Sequence, residues 1–575
     1  MEKKFEKSVK LNINKIFFIY IVFFLLFLFA LYKFYSITND YDISAKNIYL
    51  MEKTNHYPEL WTSDGKLLAT NIKVYDLFLD TRHINKNYLK LYLNNITNLI
   101  NKTILIDEIN KNMKKRNRVL IISELTYSDI SKIKTLNYIY IRMGFFKKII
   151  KNNKHYIYGP EFIKKNKKTR RYKKGILAYQ PMLGKYTSLD VGVNGIEKYY
   201  YDKFFNKEIK FYKSDKFGTK LYTEINKDGD HTIVLSINSK LQEEINNKIK
   251  KQVKEYEADN IVVAVIKTKT GEILAMSQTK KEINGKVYDK NDFTQYYYEA
   301  GSVFKPITLA IALEENKVTD MLERIDVNHG KMRIGRKTIT DDEKDKQFLT
   351  IEEIIIHSSN VGITRIALRM ENNEFFNGIT KMKFFSKDTL EMSNVKRYLF
   401  PSALKKKLIQ NKLIQRATTS FGYGFSVTPY NILRMYNILA NDGNYVPLTL
   451  KKRSKKEIKN LKVERVISKK TIKKIQETLK KVVLEGTAVG TKMTSLDIYG
   501  KTGTAHRNEK GKYINSYNST FVGFVKDKQG NEYTIITLVQ KPNWLHHFSS
   551  LSAVPTFKSI IKSLIKNNLL TPDIK

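Results

Sequence analysis

The chain contains no cysteine among its 575 residues. That excludes a disulfide framework, a cysteine-ligated metal and a thiol nucleophile. Proline is scarce, at ten residues. There is no long Gly/Ser or Pro tract and no repeat at solenoid periods, which argues against a long flexible linker and against a repeat array. Acidic charge is also short, with 57 Asp and Glu against 102 Lys and Arg, a net +45. Long apolar runs are missing too, with a single exception near the N-terminus.

What is present is a globular composition, 42% hydrophobic and 12% aromatic, long enough for two or three domains. The exceptional run is Ile16 to Tyr32, 17 uncharged residues between Lys15 and Lys33. As a helix it reaches roughly 25 Å at about 1.5 Å per residue, the short end of a bilayer span. It is apolar on every face, as a soluble core helix rarely is. It ends in Tyr32-Lys33-Phe34-Tyr35, without a small-x-small cleavage pattern, so an uncleaved anchor is expected rather than a signal peptide. Five lysines (Lys3, Lys4, Lys7, Lys10, Lys15) precede the run, and only Lys33 and Lys46 follow it closely. The positive-inside rule places residues 1–15 in the cytoplasm and everything after Lys33 outside.

The basic excess is densest at Lys164–Lys174, eight basic residues in eleven, with smaller clusters at Lys405–Lys407 and Lys451–Lys456. Because it is spread along the whole chain beside many Asn, Ile and Tyr, we read it as solvated lysine-rich surface, with no nucleic-acid partner. A membrane-tethered external domain can use such charge against anionic lipid or wall polymer.

Residues 40 to about 228 mix short strands with polar helices, and the texture changes near Gly229. Ile261–Ile266 and Glu272–Met276, joined by Lys267–Gly271, read as a β-hairpin, as do Thr520–Val525 and Tyr533–Val539 around Asp527–Asn531. Helix-period stretches lie between, at 302–315, 351–370, 428–441 and 470–484, and Pro555 opens a last amphipathic helix to about Asn567. Strands at both ends with helices between predict an α+β domain.

Three short motifs carry the chemistry: Ser302-Val-Phe-Lys305, Ser358-Ser-Asn360 and Lys501-Thr-Gly503. Each alone is cheap. S-x-x-K recurs at Ser131, Ser277, Ser393, Ser402, Ser559 and Ser563, S-x-N at Ser236, and K-T-G at Lys269. Context selects among them. Gly301 permits a sharp turn, and Pro306 is tolerated only near a first helical turn, so Ser302 falls at a helix start with Lys305 one turn on. A serine becomes nucleophilic when a neighbour takes its proton, and a lysine can do so once burial lowers its pKa. Lys501 leads into a small-residue strand, Thr502-Gly-Thr-Ala505, where a substrate backbone can lie beside Gly503 and a carboxylate can meet Lys501, Thr502 and Thr504. A phosphate-loop reading of Gly500-Lys501-Thr502 fails, because its first glycine would fall at Ser495. The adjacent histidines of Pro542-Asn-Trp-Leu-His-His547 cannot share a helix face for a metal, and they read as a solvated loop pair.

In order and spacing, 56 residues from Ser302 to Ser358 and 143 from there to Lys501, the three motifs match the penicillin-binding set. The chain resembles the class B penicillin-binding proteins from anchor to C-terminus. The resemblance includes Asp64–Ala69, Gly192–Glu197, Leu235–Gln242, Gly271–Met276, Phe421–Pro429 and Glu485–Ala488. It departs at Tyr57-Pro58, where Arg-Gly is usual, and at Ala300, where proline is usual. The resemblance implies an α+β transpeptidase domain, an antiparallel sheet with flanking helices, at 229–575. It also implies an elongated mixed α/β pedestal at 33–228, a transmembrane anchor at 16–32 and a cytoplasmic tail at 1–15.

By the same resemblance Ser302 is the nucleophile and Lys305 its proton acceptor. Ser358 and Lys501 serve the leaving amine, Asn360 positions the substrate amide and Lys305, and Thr502, Gly503 and Thr504 bind substrate. Backbone N–H groups of Ser302 and Thr504 would form the oxyanion hole. No metal or organic cofactor is implied. The implied partners are peptidoglycan stem peptides, β-lactams as inhibitors, the membrane, a SEDS-type glycosyltransferase and division proteins. Asn360 in the second motif favours the division-specific branch over the elongation-specific one. A β-lactam sensor, a β-lactamase and a non-catalytic polyanion-binding scaffold are the alternatives.

Overall fold

Ile261–Ile266 is an unbroken run of β-branched and small apolar residues inside the strand Asn260–Lys267, and a strand without alternation is covered on both faces. In the computed structural model it is the second strand of a five-stranded antiparallel sheet. The elements around the site, labelled in chain order, are β1 (Asn260–Lys267), β2 (Glu272–Lys280), α1 (Lys305–Glu314), α2 (Ile351–Ile356), α3 (Asn360–Leu368), α4 (Lys469–Leu484), β3 (Asp497–Glu509), β4 (Lys512–Lys526), β5 (Glu532–Gln540) and α5 (Ala553–Lys566). The strand order β2-β1-β5-β4-β3 leaves β3 on an edge. The two hairpins expected from the sequence are β1–β2 and β4–β5, and the register pairs Ala264 with Met276 and Gly523 with Ile535.

Helices cover both faces. Thr534 and Thr537 of β5 lie an odd number of residues apart and so face opposite ways. Thr534 donates to Asn437 of the helix Pro429–Ala440, and Thr537 donates to the Ala553 carbonyl at the start of α5. β1 is consequently buried throughout except at Lys267.

The structure describes residues 2–39, 48–53, 58–146, 148–151, 154–157, 160–173, 175–185, 191–204, 209–214, 220–225, 232–280, 290–386, 390–399, 413–509 and 512–573. Tyr57, Gly229, Ser402 and the Lys405–Lys407 cluster lie outside them, as do the side chains of Lys164–Thr169. The chain divides into two compact units. One, Met1–Asn55 with Asn206–Gly229, holds the helix Glu2–Asn39 and a three-stranded sheet of Ile48–Lys53, Ile209–Ser214 and Lys220–Ile225. Lys15–Ser36 of that helix is long and apolar enough to cross a membrane, and none of it is buried.

The other unit, His56–Phe205 with Asp230–Lys575, has two hydrophobic cores. The larger surrounds the five-stranded sheet and takes in Leu60, Leu68, Tyr179 and Ile196. The smaller is built on Leu77, Tyr92, Ile133, Tyr140 and Phe145.

Three sequence expectations change. The stretch 351–370 is not one helix, because it breaks at His357-Ser358-Ser359 into α2 and α3, with Ser358 at φ +64°. The Lys164–Lys174 block is not wholly solvated surface. Most of it belongs to the strand Glu161–Tyr172, paired with Leu67–Asp80. The side chain of Arg170 in that strand is 1% exposed and forks onto the Glu197 carboxylate at 3.0 and 3.1 Å, with a third bond to the Pro58 carbonyl at 2.8 Å. The pair of histidines is not solvated either. His547 is buried with its ring stacked on Trp544, centroids 4.2 Å apart, and His546 lies half-buried against Tyr256. Rings that flank the histidines, Trp544 and Phe548, and rings from elsewhere in the chain, Tyr256 and Tyr517, supply the apolar cover.

Candidate active site

Ser302 sits in a tight 3-10 turn, Gly301–Phe304, that feeds α1, with Gly301 at φ +59°. Pro306 occupies the first turn of α1, as its missing N–H requires. Gly301, Val303, Phe304 and Lys305 are buried, and Ser302 alone of this turn keeps partial access to solvent. The apolar run 303–313 drives this end of α1 into the core and takes the Lys305 ammonium with it.

Lys305 is 0% exposed. Its Nζ donates to the Ser358 hydroxyl at 3.1 Å and also to the Ser358 carbonyl. Burial lowers its pKa to about 7, against the opposing pull of the Asp341 and Asp342 carboxylates. Near neutral pH a substantial fraction of this amine can accept a proton.

The second motif occupies the break between α2 and α3. Ser359 caps α3, accepting the Gly362 N–H at 2.8 Å. Asp341, from the loop after the strand Lys337–Thr340, fixes the whole turn. It accepts the Ser359 hydroxyl at 2.6 Å and the N–H groups of Asn360 and Val361 at 2.6 and 2.9 Å. These bonds hold Ser358 in its left-handed conformation over Lys305. The Asn360 amide donates to the Thr340 carbonyl at 2.8 Å.

β3 closes the site. A Cβ on Gly503 would stand 2.9 Å from the Val303 side chain and 3.2 Å from the Val303 nitrogen. Only glycine lets the strand lie this close to the turn that carries Ser302. Lys501 is buried and donates to Thr502 at 3.3 and 3.4 Å. Burial, and then the neighbouring Lys305, hold its pKa well below the lysine range. The Thr502 hydroxyl meets that of Thr487 at 2.6 Å, and the Thr504 hydroxyl meets that of Ser549 at 2.9 Å.

The structure thus gathers Ser302, Lys305, Ser358, Lys501 and the strand 501–504 into one site, with Asn360 at its rim. Sequence reasoning missed Asp341 and Ser549, because nothing local links them to the motifs. Thr487 lay inside an island that carried the resemblance, without a role of its own. The other S-x-x-K copies have different settings. Ser559 and Ser563 lie on α5 with Lys562 and Lys566 exposed, and Lys269 is an exposed turn residue paired with Asp442.

A serine at a helix start, a buried lysine able to take its proton and an open strand edge beside both define an enzyme that transfers acyl groups through serine. Residues 261–562, more than half of the chain, match the family model described as the penicillin binding protein transpeptidase domain. The chain belongs to that family, and its motif resemblance is membership. The chain is 28% identical over 424 residues to the peptidoglycan D,D-transpeptidase FtsI of Buchnera aphidicola subsp. Schizaphis graminum, covering 70% of each chain. It is 28% identical over 396 residues to stage V sporulation protein D of Bacillus subtilis, covering 64% of this chain and 60% of that one. The structure of the transpeptidase domain of Burkholderia pseudomallei penicillin-binding protein 3 aligns with a TM-score of 0.53 at 27% identity, over 59% of this chain and 98% of that one.

Proposed function

We propose that this protein is a membrane-anchored peptidoglycan D,D-transpeptidase of class B that cross-links stem peptides in the septal wall. The observation that carries the reading is the buried Lys305, bonded to Ser358, with a pKa of about 7, one turn from Ser302.

Ser302 Oγ attacks the carbonyl of the penultimate D-alanine as its proton passes to Lys305. The oxyanion is met by the N–H groups of Ser302 and Thr504, a preorganised arrangement often worth several kcal/mol. The close seat of Gly503 on Val303 supports this placement. Collapse of the intermediate breaks the peptide bond. Ser358, helped by Lys501, relays a proton to the departing D-alanine amine and leaves an ester on Ser302. An amine of a second stem peptide then attacks the ester, gives up its proton through the same groups and restores the serine. Thr502, Gly503 and Thr504 hold the donor along β3, and Asn360 orients its amide and Lys305. A β-lactam acylates the same serine.

The segment 16–32 is the anchor, with residues 1–15 in the cytoplasm and the catalytic domain on the periplasmic side. Residues 33–228 serve as pedestal and 229–575 as transpeptidase domain. A SEDS-type glycosyltransferase and division proteins are the partners. The FtsI name of the Buchnera relative and the Ser358-Ser-Asn360 form support the septal assignment.

The test is labelling of the detergent-solubilised full chain with a fluorescent penicillin. A stable covalent band is expected in the native chain and in Ser131→Ala, and none in Ser302→Ala. A band that survives in Ser302→Ala refutes the nucleophile, and one that fades within minutes points to a hydrolase.

A further inference from the structure

Three residues before the nucleophile stands a carboxylate with no counter-ion. Glu299 Oε1 accepts the Gly424 N–H at 2.9 Å and the Tyr513 hydroxyl at 3.2 Å, while Oε2 is shielded from solvent and has no hydrogen-bond partner. Among the described residues no Lys or Arg pairs with it, in a chain that carries 102 of them. Burial raises its pKa, which a cation brought alongside would reverse.

Tyr513 and Tyr423, edge to face with centroids 6.0 Å apart, join His506, Ile514 and Asn515 around a cavity of about 310 Å³. The turn that bears Tyr423 is tied to the nucleophile's own turn, since the Gly301 N–H donates to the Gly422 carbonyl at 3.1 Å. His506 lies two residues beyond Thr504 on β3, about 7 Å along a strand. A donor peptide laid on β3, with its scissile carbonyl at Ser302, therefore brings the residue that precedes the D-alanines to this cavity.

We propose that Glu299, with the faces of Tyr423 and Tyr513, binds the side-chain ammonium of the residue preceding D-Ala-D-Ala in the donor stem peptide. A half-buried ring, Tyr423, and an exposed one, Tyr513, backed by a carboxylate suit a primary ammonium. The site belongs to the donor, because an amine held as its cation has no lone pair with which to attack an acyl-enzyme. The proposal rests on the transpeptidase reading and adds the feature of the substrate that is selected.

The experiment measures release of D-alanine by the detergent-solubilised full chain from acetyl-L-Lys-D-Ala-D-Ala and from its Nε-acetyl counterpart, both with the same excess of glycinamide as acceptor amine, so that only the donor differs. The native chain is expected to favour the free ammonium by about fivefold, the scale of a cation–π contact at an exposed ring with a carboxylate behind it. Glu299→Gln brings the ratio to near one, and Tyr513→Phe, which keeps the ring and removes the bond to Glu299, gives an intermediate ratio. Equal rates in the native chain overturn the proposal, as does a full ratio in Glu299→Gln. Penicillin labelling separates the two claims: a chain that labels on Ser302 yet treats both peptides alike retains the transpeptidase function and loses the ammonium site.

Discussion

Lys305 was legible as a candidate base from its place one turn after Ser302, but its setting was not. The carboxylates that hold its pKa up, Asp341 and Asp342, lie 36 and 37 residues further along the chain. The proposed role of Lys305 as proton acceptor requires it to be neutral, so acylation by penicillin should rise with pH through about 7 and then level off. Asp341→Asn removes a charge that favours the ammonium, so the rising limb should move to lower pH. The change should also slow acylation, because Asp341 anchors Ser359, Asn360 and Val361. A limb that moves upward or stays in place contradicts this role.

The same burial has a consequence for stability. Lys305 has a folded pKa of about 7, below its unfolded value, so its destabilising effect is complete below pH 7 and is lost as pH rises towards the ordinary lysine value. Lys305→Met should therefore resist denaturant better than the native chain at pH 7, by a margin that narrows at pH 9.5, while losing penicillin labelling.

The hairpins and the helix starts could be read directly, since β-branched runs bounded by turn residues and a proline near a first turn act locally. The break between α2 and α3 could not be read. The apolar period continues through 351–370, and only the bonds from Asp341 and the cap by Ser359 interrupt it. The packing of β3 on the Ser302 turn was legible as a tendency, through the glycine of Lys501-Thr-Gly503, and not as a contact. Gly503→Ala forces a methyl group against Val303. Labelling should fall by roughly a hundredfold, the scale for a misplacement of about 1 Å at a reacting centre, with the circular dichroism spectrum unchanged. Native-like labelling in a folded Gly503→Ala variant would show that the close approach is dispensable.

Across the whole molecule, composition gave the size class and the membrane-length helix, and motif order gave the family. Charge counting misjudged Arg170 within the basic block, because a tally cannot tell a solvated lysine from an arginine enclosed with its partner. Removing one member of a buried pair leaves the other charge uncompensated, so Arg170→Leu should lower stability by about 3–5 kcal/mol in denaturant titration. A loss below 1 kcal/mol would mean that Glu197 finds another partner or solvent.

The central claim is acyl transfer on Ser302, and peptide mapping by mass spectrometry of the full chain after exposure to a β-lactam tests it most directly. The account predicts one acyl adduct, on the peptide that contains Ser302, with a yield that rises from pH 6 to pH 8. An adduct on any other serine, or well-folded protein without an adduct, would contradict it.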